Sequence, residues 1–154
     1  DAGCDENTIV MFISDNGADP KHGGSNTPLS GGKWSWNEGG VRVPMIARWP
    51  GRIPAVSTSN EAIHMIDMFP TMLAASGLPD PQDVPLDGLN VLDALEGKAR
   101  VPERSLFFGK DTVRNGKWKR MGDKLYTLNR DLQEKENLAG KAPEVFRELQ
   151  SLHR

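Results

Sequence analysis

Hydrophobic residues form two short runs in the N-terminal third of the chain. Residues 8–14 are an almost continuous apolar run, and residues 43–49 are a second one that ends at Pro50-Gly51. The first run, short and rich in β-formers, predicts a strand buried on both faces, as in a parallel sheet covered by helices, and the second run predicts another strand. Residues 18–40 are polar and rich in glycine, which predicts a long loop of the kind that is usually functional or mobile.

The middle of the chain carries the signals of a helix. Asp67 is suited to cap a helix over residues 68–75, Pro70 is tolerated in its first turn, and Gly77 is placed just beyond its end. Residues 91–95 predict a further short helical turn. Helical segments that follow apolar strands are typical of an α/β sheet.

From residue 106 onwards the pattern changes to short strands. Residues 106–108 and 125–128 each predict one strand. Asn115-Gly116 lies between them and is a strong signal for a two-residue hairpin turn. Residues 143–153 predict an amphipathic packing helix whose apolar stripe consists of Val145, Phe146, Leu149 and Leu152.

The change from one sequence pattern to the other predicts two domains with a boundary near residue 97. Residues 1–97 favour part of an α/β sheet, whereas residues 98–154 favour a small antiparallel sheet with a terminal helix. The strand at residues 8–14 needs neighbours on both sides, and the chain offers few candidates. We therefore expect either a fragment of a longer protein or an oligomer that covers the open sheet.

Composition and charge exclude several classes of protein. The net charge of −2, with 26% charged residues, gives no electrostatic reason to bind nucleic acid or an anionic membrane. No apolar run reaches the roughly 18 residues that a membrane span needs, and residues 1–6 lack the pattern of a signal peptide. The single cysteine, Cys4, excludes an internal disulfide framework and a multi-cysteine metal site.

The first chemically suggestive motif, Asp15-Asn16-Gly17, directly follows the first predicted strand. Ligands of open α/β sheets bind beyond the carboxyl ends of strands. A carboxylate and an amide carbonyl are hard oxygen donors suited to Ca²⁺ or Mg²⁺, and a glycine break lets neighbouring side chains turn toward one ion. Alone, the same three residues are typical of a plain turn.

The second motif is Lys33, preceded by Gly31-Gly32 and followed by Gly39-Gly40. Glycine pairs let the backbone approach a ligand closely, and a lysine offers a compact positive charge to an oxyanion. Taken by itself, a lone lysine is more often a solvated surface residue.

Taken in order, the motifs resemble the type I, formylglycine-dependent sulfatases of the alkaline-phosphatase-like superfamily. The resemblance spans nearly the whole chain, and five motifs in sequence are highly specific. The motifs are Ser14-Asp15-Asn16-Gly17; Gly-Gly-Lys-x4-Glu-Gly-Gly-x-Arg-Val-Pro at residues 31–44 with Trp49-Pro50-Gly51; Ile66-Asp67-Met68-Phe69-Pro70-Thr71; Leu86-Asp87-Gly88; and Asn115-Gly116-Lys117-Trp118-Lys119 with Leu125-Tyr126-Thr127-Leu128, Asp131, Glu134 and Glu136-Asn137-Leu138.

The resemblance implies a fold and a partial site. The fold is α/β: the C-terminal part of an alkaline-phosphatase-like sandwich, followed by a small antiparallel β-sheet subdomain with a terminal helix. Asp15 and Asn16 match two metal ligands, usually of Ca²⁺ with Mg²⁺ as the alternative, and Lys33 matches the lysine that contacts the substrate sulfate and assists catalysis. His22 and Trp36 lie in the variable stretch around the pocket and are candidates for substrate contact. Structural signature positions are matched by Glu38, Arg42 and Pro44.

The family's nucleophile is formylglycine, made from the Cys of a Cys-x-Pro-x-Arg motif. Cys4 is followed by Asp5-Glu6-Asn7-Thr8 and does not fit that motif. The nucleophile is therefore expected upstream in a parent enzyme. Since Ca²⁺ takes six to eight oxygen ligands and this chain offers fewer, we expect the isolated chain to bind Ca²⁺ weakly and to lack sulfatase activity.

The resemblance leaves several alternatives open. A parent sulfatase would act on sulfate esters of carbohydrates or aryl alcohols, in the periplasm, outside the cell or in lysosomes. Related enzymes of the superfamily cleave phosphodiesters or phosphonates with similar metal chemistry. A non-catalytic binding module that retains the scaffold is the remaining alternative.

Overall fold

The computed structural model describes residues 3–152. They fold into two compact units: one contains the residues up to Phe12 together with Met45–Pro102, and the other contains Ile13–Pro44 and the residues from Glu103 onwards. Short 3₁₀ turns lie at Asp5–Asn7, Pro20–His22 and Met65–Asp67. The strands and helices are β1 (Val10–Ile13), α1 (Glu38–Val41), β2 (Met45–Arg48), α2 (Met68–Ala75), α3 (Leu92–Leu95), β3 (Ser105–Phe108), β4 (Thr112–Asn115), β5 (Trp118–Met121), β6 (Lys124–Thr127) and α4 (Pro143–Ser151).

The change from one unit to the other after Pro102 lies close to the predicted boundary at residue 97. Residues 13–44, however, group with the C-terminal sheet instead of with the remainder of the N-terminal part. The division of the chain into domains 1–97 and 98–154 stays a prediction. No helix among residues 3–152 has the length and apolar character required to cross a membrane.

Strand β1 pairs with β2 in a two-stranded sheet and has no second partner among the described residues. Burial alternates along both strands, and Val10 and Phe12 are 50% and 65% exposed. The prediction that this strand is buried on both faces is wrong for these residues. The apolar run has the composition of a central strand, but β2 covers only one of its edges, as expected for a sheet that lacks neighbours.

Helix α2 forms where the sequence predicts it, but the side chain of Asp67 does not cap it; it closes the capping box of the preceding 3₁₀ turn, whose N-cap is His64. The carboxylate accepts a hydrogen bond from the backbone N–H of His64 at 2.7 Å, and the imidazole of His64 accepts one from the N–H of Ile66. The second carboxylate oxygen accepts from the N–H of Leu89 at 2.9 Å. Asp67 is fully buried, so one carboxylate satisfies the backbone of two segments that lie far apart in sequence.

The first unit also contains a buried carboxylate held by two cations. Glu96, which is 6% exposed, accepts a hydrogen bond from Nε of Arg52 at 2.5 Å and forms an ion pair with Nζ of Lys98 at 2.5 Å. The guanidinium of Arg52 also stacks on the ring of Trp49, 4.2 Å from its centroid. The hydrogen bond from Lys98 is the main cause that holds the pKa of Glu96 below its usual value, and Arg52 lowers this pKa further.

We expect Glu96→Gln to destabilise the chain by about 1 kcal/mol at neutral pH, since both cations remain partly exposed to water. The folded pKa of Glu96 lies below the ordinary value of 4.5, so its contribution is present above that pH and disappears as the pH falls through the folded pKa. Urea denaturation of both proteins from pH 7 to pH 3 measures this. Curves that differ equally at both ends of the range would contradict the assignment.

Four antiparallel strands form the sheet of the second unit, in the order β3-β4-β5-β6. Asn115 pairs with Trp118, so the turn between β4 and β5 consists of Gly116 and Lys117. The predicted turn at Asn115-Gly116 is therefore wrong by one residue. Gly116 has a φ of +52°, a conformation that glycine adopts without steric cost, and this explains why the signal marked the correct hairpin.

Helix α4 packs on this sheet. Leu149 of the helix joins Val113 of β4 and Leu125 of β6 in a buried apolar cluster, and Val145 and Phe146 pack against it. The predicted stripe is confirmed except at Leu152, which is 40% exposed. The helix ends at Ser151; the predicted end at His153 lies outside the described residues.

Candidate functional site

The segment that follows β1 is fixed by backbone hydrogen bonds within the second unit. The N–H of Ser14 donates to the carbonyl of Pro44 at 3.3 Å, and the N–H of Gly17 donates to the carbonyl of Gly40 at 2.9 Å. A Cβ added at Gly17 would lie 1.7 Å from the carbonyl oxygen of Gly39. Only glycine allows this approach, which places the Asp15-Asn16 pair directly beside the N-terminal turn of the signature helix α1.

The side chains of Asp15 and Asn16 are open to a ligand. Asp15 is exposed and Asn16 is half-buried, and neither side chain is engaged in a hydrogen bond or ion pair among residues 3–152. Free carboxylate and amide oxygens fit a hard divalent cation. In the part of the chain that the structure describes, no group of three or more His, Cys, Asp or Glu side chains is placed to hold a metal ion. The pair therefore fits a portion of a metal site and not a complete one.

Lys33 is brought to this segment through its backbone. Its N–H donates to the carbonyl of Ala18 at 3.2 Å, two residues beyond Asn16. The amide side chain of Asn26 strengthens the same link, because it binds both the N–H and the carbonyl of Ala18 and also the carbonyl of Gly31. Sequence reasoning missed this bracing by Asn26, since a single asparagine in a polar loop carries no distinctive pattern.

The ammonium group of Lys33 remains accessible. The side chain is exposed, and Nζ lies 5.4 Å from the centroid of the Trp34 ring. Trp34 is 88% exposed and has a φ of +72°, a conformation in which a bulky side chain is strained. The backbone thus turns sharply at the lysine and directs polar and aromatic groups toward solvent.

His22 and Trp36, the predicted substrate contacts, have different surroundings. Nδ1 of His22 lies 2.9 Å from Oδ2 of Asp19, and this contact is the main cause that lowers the pKa of Asp19. Trp36 is 47% exposed, and its indole packs against Gly109, where an added Cβ would lie 2.7 Å from Nε1. Both side chains retain accessible surface, and their role in substrate binding stays a prediction.

Beneath the loop lies a buried ionic cluster that the sequence did not reveal. Nζ of Lys119 on β5 is 2.8 Å from Oε1 of Glu38 and 2.9 Å from Oε1 of Glu134, and these three residues are 0%, 1% and 8% exposed. Burial raises the pKa of the neighbouring Tyr126, and the carboxylate of Glu134 raises it further. Lys119 and Glu134 belong to the C-terminal motifs, but a motif alone does not show that they meet Glu38 some hundred positions earlier in the chain.

The sequence of this chain is similar to those of known sulfatases. The sulfatase family model matches residues 1–78. N-acetylgalactosamine-6-sulfatase of Canis lupus familiaris is 46% identical over 107 residues, which cover 67% of this chain and 20% of that protein. Arylsulfatase A of Homo sapiens is 39% identical over 131 residues, which cover 77% of this chain and 25% of that protein.

Solved structures show the same fold. The crystal structure of Ps i-CgsB in complex with k-i-k-neocarrahexaose superposes with a TM-score of 0.84 at 28% identity, covering 97% of this chain and 37% of that protein. The chain thus spans about a fifth to a quarter of the length of the curated relatives named here. The expected α/β fold with a small antiparallel sheet and a terminal helix is confirmed.

Proposed function

Because this chain belongs to the sulfatase family, we propose that it forms the part of a sulfuric ester hydrolase that contacts the sulfate and a divalent metal ion. The observation that supports this most directly is the placement of Lys33, whose backbone is bound to Ala18 just beyond Asp15-Asn16. Free oxygen donors and a free ammonium group therefore emerge from one braced segment of the second unit. The relatives named above, which are sulfatases, favour sulfate esters over the phosphate and phosphonate esters that similar chemistry also serves.

The proposed chemistry assigns a separate task to each residue. Asp15 and Asn16 would hold Ca²⁺, or Mg²⁺, with further ligands from outside this chain, and the bound ion would supply Lewis-acid stabilisation of negative charge on the sulfate group. Lys33 would bind a sulfate oxygen and neutralise charge that develops in the transition state. The hydrogen bonds of the loop fix the backbone from which its side chain extends, so the ammonium group starts from a defined point of attachment.

The nucleophile has no candidate in this chain. Cys4 is exposed and is followed by Asp5-Glu6-Asn7-Thr8 instead of the Cys-x-Pro-x-Arg pattern from which formylglycine is made. We infer that a longer polypeptide supplies formylglycine together with the remaining metal ligands. The coverage of only 20% of the canine relative supports this.

A sulfated carbohydrate is the substrate class that we propose. Support comes from the named specificity of N-acetylgalactosamine-6-sulfatase and from the oligosaccharide in the Ps i-CgsB complex. Trp36 and His22, both with accessible surface near Lys33 in sequence, are the proposed contacts to the sugar. A periplasmic, secreted or lysosomal location remains an expectation from the family resemblance, and an oligomer that covers the open sheet remains one of the two expectations from the strand at residues 8–14.

Calorimetric titration with Ca²⁺ tests the metal proposal on the 154-residue chain. We expect weak binding, with a dissociation constant of about 1 mM or higher because most of the oxygen ligands are missing, and we expect Asp15→Ala to abolish it. The matched control is Asp80→Ala, which removes an exposed carboxylate from the first unit and should leave the titration unchanged. Tight stoichiometric binding that survives Asp15→Ala would contradict the metal assignment. Hydrolysis of an aryl sulfate by the purified chain would contradict the separate expectation that the isolated chain lacks sulfatase activity.

A further inference from the structure

The buried cluster of Glu38, Lys119 and Glu134 carries two carboxylates and one ammonium group. All three side chains lie in the second unit and are almost completely excluded from water. Oε2 of Glu38 is buried without a hydrogen-bond partner among the described residues. Buried ions are costly, and apolar residues of similar volume often stabilise a fold as well or better. The cluster therefore calls for an explanation other than stability.

The contacts of Glu134 supply that explanation. One oxygen, Oε2, accepts a hydrogen bond from the hydroxyl of Ser30 at 3.0 Å and another from the backbone N–H of Glu38 at 2.8 Å. These residues lie on either side of Lys33. One carboxylate thus closes the loop of residues 30–38 at its base, and the N–H of Gly39 reinforces the closure by donating to the carbonyl of Ser30 at 2.7 Å.

Lys119 completes the closure from the sheet. Its position in the middle of β5 is set by pairing with Arg114 and Tyr126 on the adjacent strands. From there the ammonium group binds the carboxylate of Glu38 at the start of α1 and the second oxygen of Glu134. Glu134 itself has a φ of +53°, a strained conformation that persists only where its surroundings enforce it.

We propose that Lys119 and Glu134 are positioning residues that hold the loop of residues 30–38 in the geometry in which Lys33 binds sulfate, an inference that rests on the proposed function of Lys33. Neither residue reaches the reacting atoms. The C-terminal sheet acts on the reaction through Glu38 and Ser30, whose contacts fix both ends of the loop. Misplacement of a catalytic group by about 1 Å is enough to lower a rate about a hundredfold.

Amide hydrogen exchange, measured by NMR, tests the positioning in the chain itself. In Glu134→Gln, which keeps the side-chain shape and removes its charge, the amides of Lys33 and Gly39 should exchange at least about tenfold faster. The amide of Leu128, which donates to the carbonyl of Lys117 at 2.7 Å, reports the sheet and should change less than about twofold. In the control Glu96→Gln, which removes a buried ion-paired carboxylate from the first unit, the amides of Lys33 and Gly39 should not be accelerated more than that of Leu128, and none by more than about fivefold.

Equal acceleration of all three amides in Glu134→Gln would show general destabilisation and overturn the proposal, as would no acceleration. The functional test uses the longer polypeptide that contains this chain and the upstream nucleophile, with a sulfate ester as substrate. Glu134→Gln should lower kcat at least about tenfold with a smaller change in KM, whereas Glu96→Gln should leave both constants unchanged. Unchanged kcat in Glu134→Gln overturns the proposal. An inactive unmutated polypeptide refutes the proposed function instead, while the exchange rates still decide whether the loop is held.

Discussion

Replacing Lys119 by methionine is expected to lower the free energy of unfolding by about 3–5 kcal/mol. The substitution keeps a long unbranched side chain but leaves Glu38 and Glu134 buried without the cation that both contact. Neither carboxylate can reach water, since they are 1% and 8% exposed. An uncompensated buried charge is among the few causes of destabilisation on this scale. Urea denaturation followed by circular dichroism at neutral pH measures the change.

Lys117→Met provides the matched control for this substitution. Lys117 lies two residues earlier, and its side chain is exposed, with Nζ over the ring of Trp118 at 5.6 Å from the centroid. Its replacement should change stability by less than about 0.5 kcal/mol. Similar stabilities for the two variants would show that the ionic cluster contributes no more than a surface lysine, and the account of the buried charges would then be wrong.

The sequence was informative where a structural signal is local. The hairpin of β4 and β5 was located by Asn115-Gly116, although the register places the turn at Gly116 and Lys117. Helix α4 was located by its apolar stripe, because a helix that packs on one side repeats its apolar residues every three to four positions. The prediction is wrong by one residue because a glycine with positive φ can be the second residue of a turn at Asn115-Gly116 or the first residue of a turn at Gly116-Lys117. The φ of Gly116 is +52°.

Burial of strands was harder to predict, since it depends on neighbours that the run itself does not specify. The apolar composition of residues 8–14 describes a central strand, yet Phe12 is 65% exposed. An apolar composition shows that a strand is suited to burial. Whether it is buried depends on the neighbouring strands and helices, and the described residues supply only β2. The difference agrees with a chain that covers 37% of the solved Ps i-CgsB structure.

Within the candidate site, recognition of motifs assigned roles to the residues with exposed chemistry but did not show that Glu38, Lys119 and Glu134 meet beneath them. Asp15, Asn16 and Lys33 occur in short motifs whose residue types suit metal binding and oxyanion binding. Lys119 and Glu134 act on the same loop from positions far along the chain, and an isolated lysine in a strand is ordinarily taken for a surface residue. Long-range ion pairs leave no pattern in a single sequence, so the structure was needed to connect them.

Replacing Lys33 by alanine in the longer polypeptide is expected to lower kcat for a sulfate ester about 10²- to 10³-fold. The reason is the loss of the positive group proposed to neutralise charge that develops on the sulfate. Lys33 is exposed and its backbone is fixed by Ala18, so truncation of the side chain should leave the fold intact. Steady-state kinetics together with thermal denaturation separate these two effects.

Two further variants sharpen the test of Lys33. Lys33→Arg keeps the positive charge but replaces a compact ammonium with a planar fork, and should recover only part of the lost rate. Lys117→Ala removes an exposed lysine from the hairpin of the C-terminal sheet and should leave kcat unchanged, which excludes an effect of net charge alone. A Lys33→Ala enzyme within about threefold of the unmutated kcat would show that the lysine does not stabilise the transition state, and the sulfate contact would then have to come from residues outside this chain.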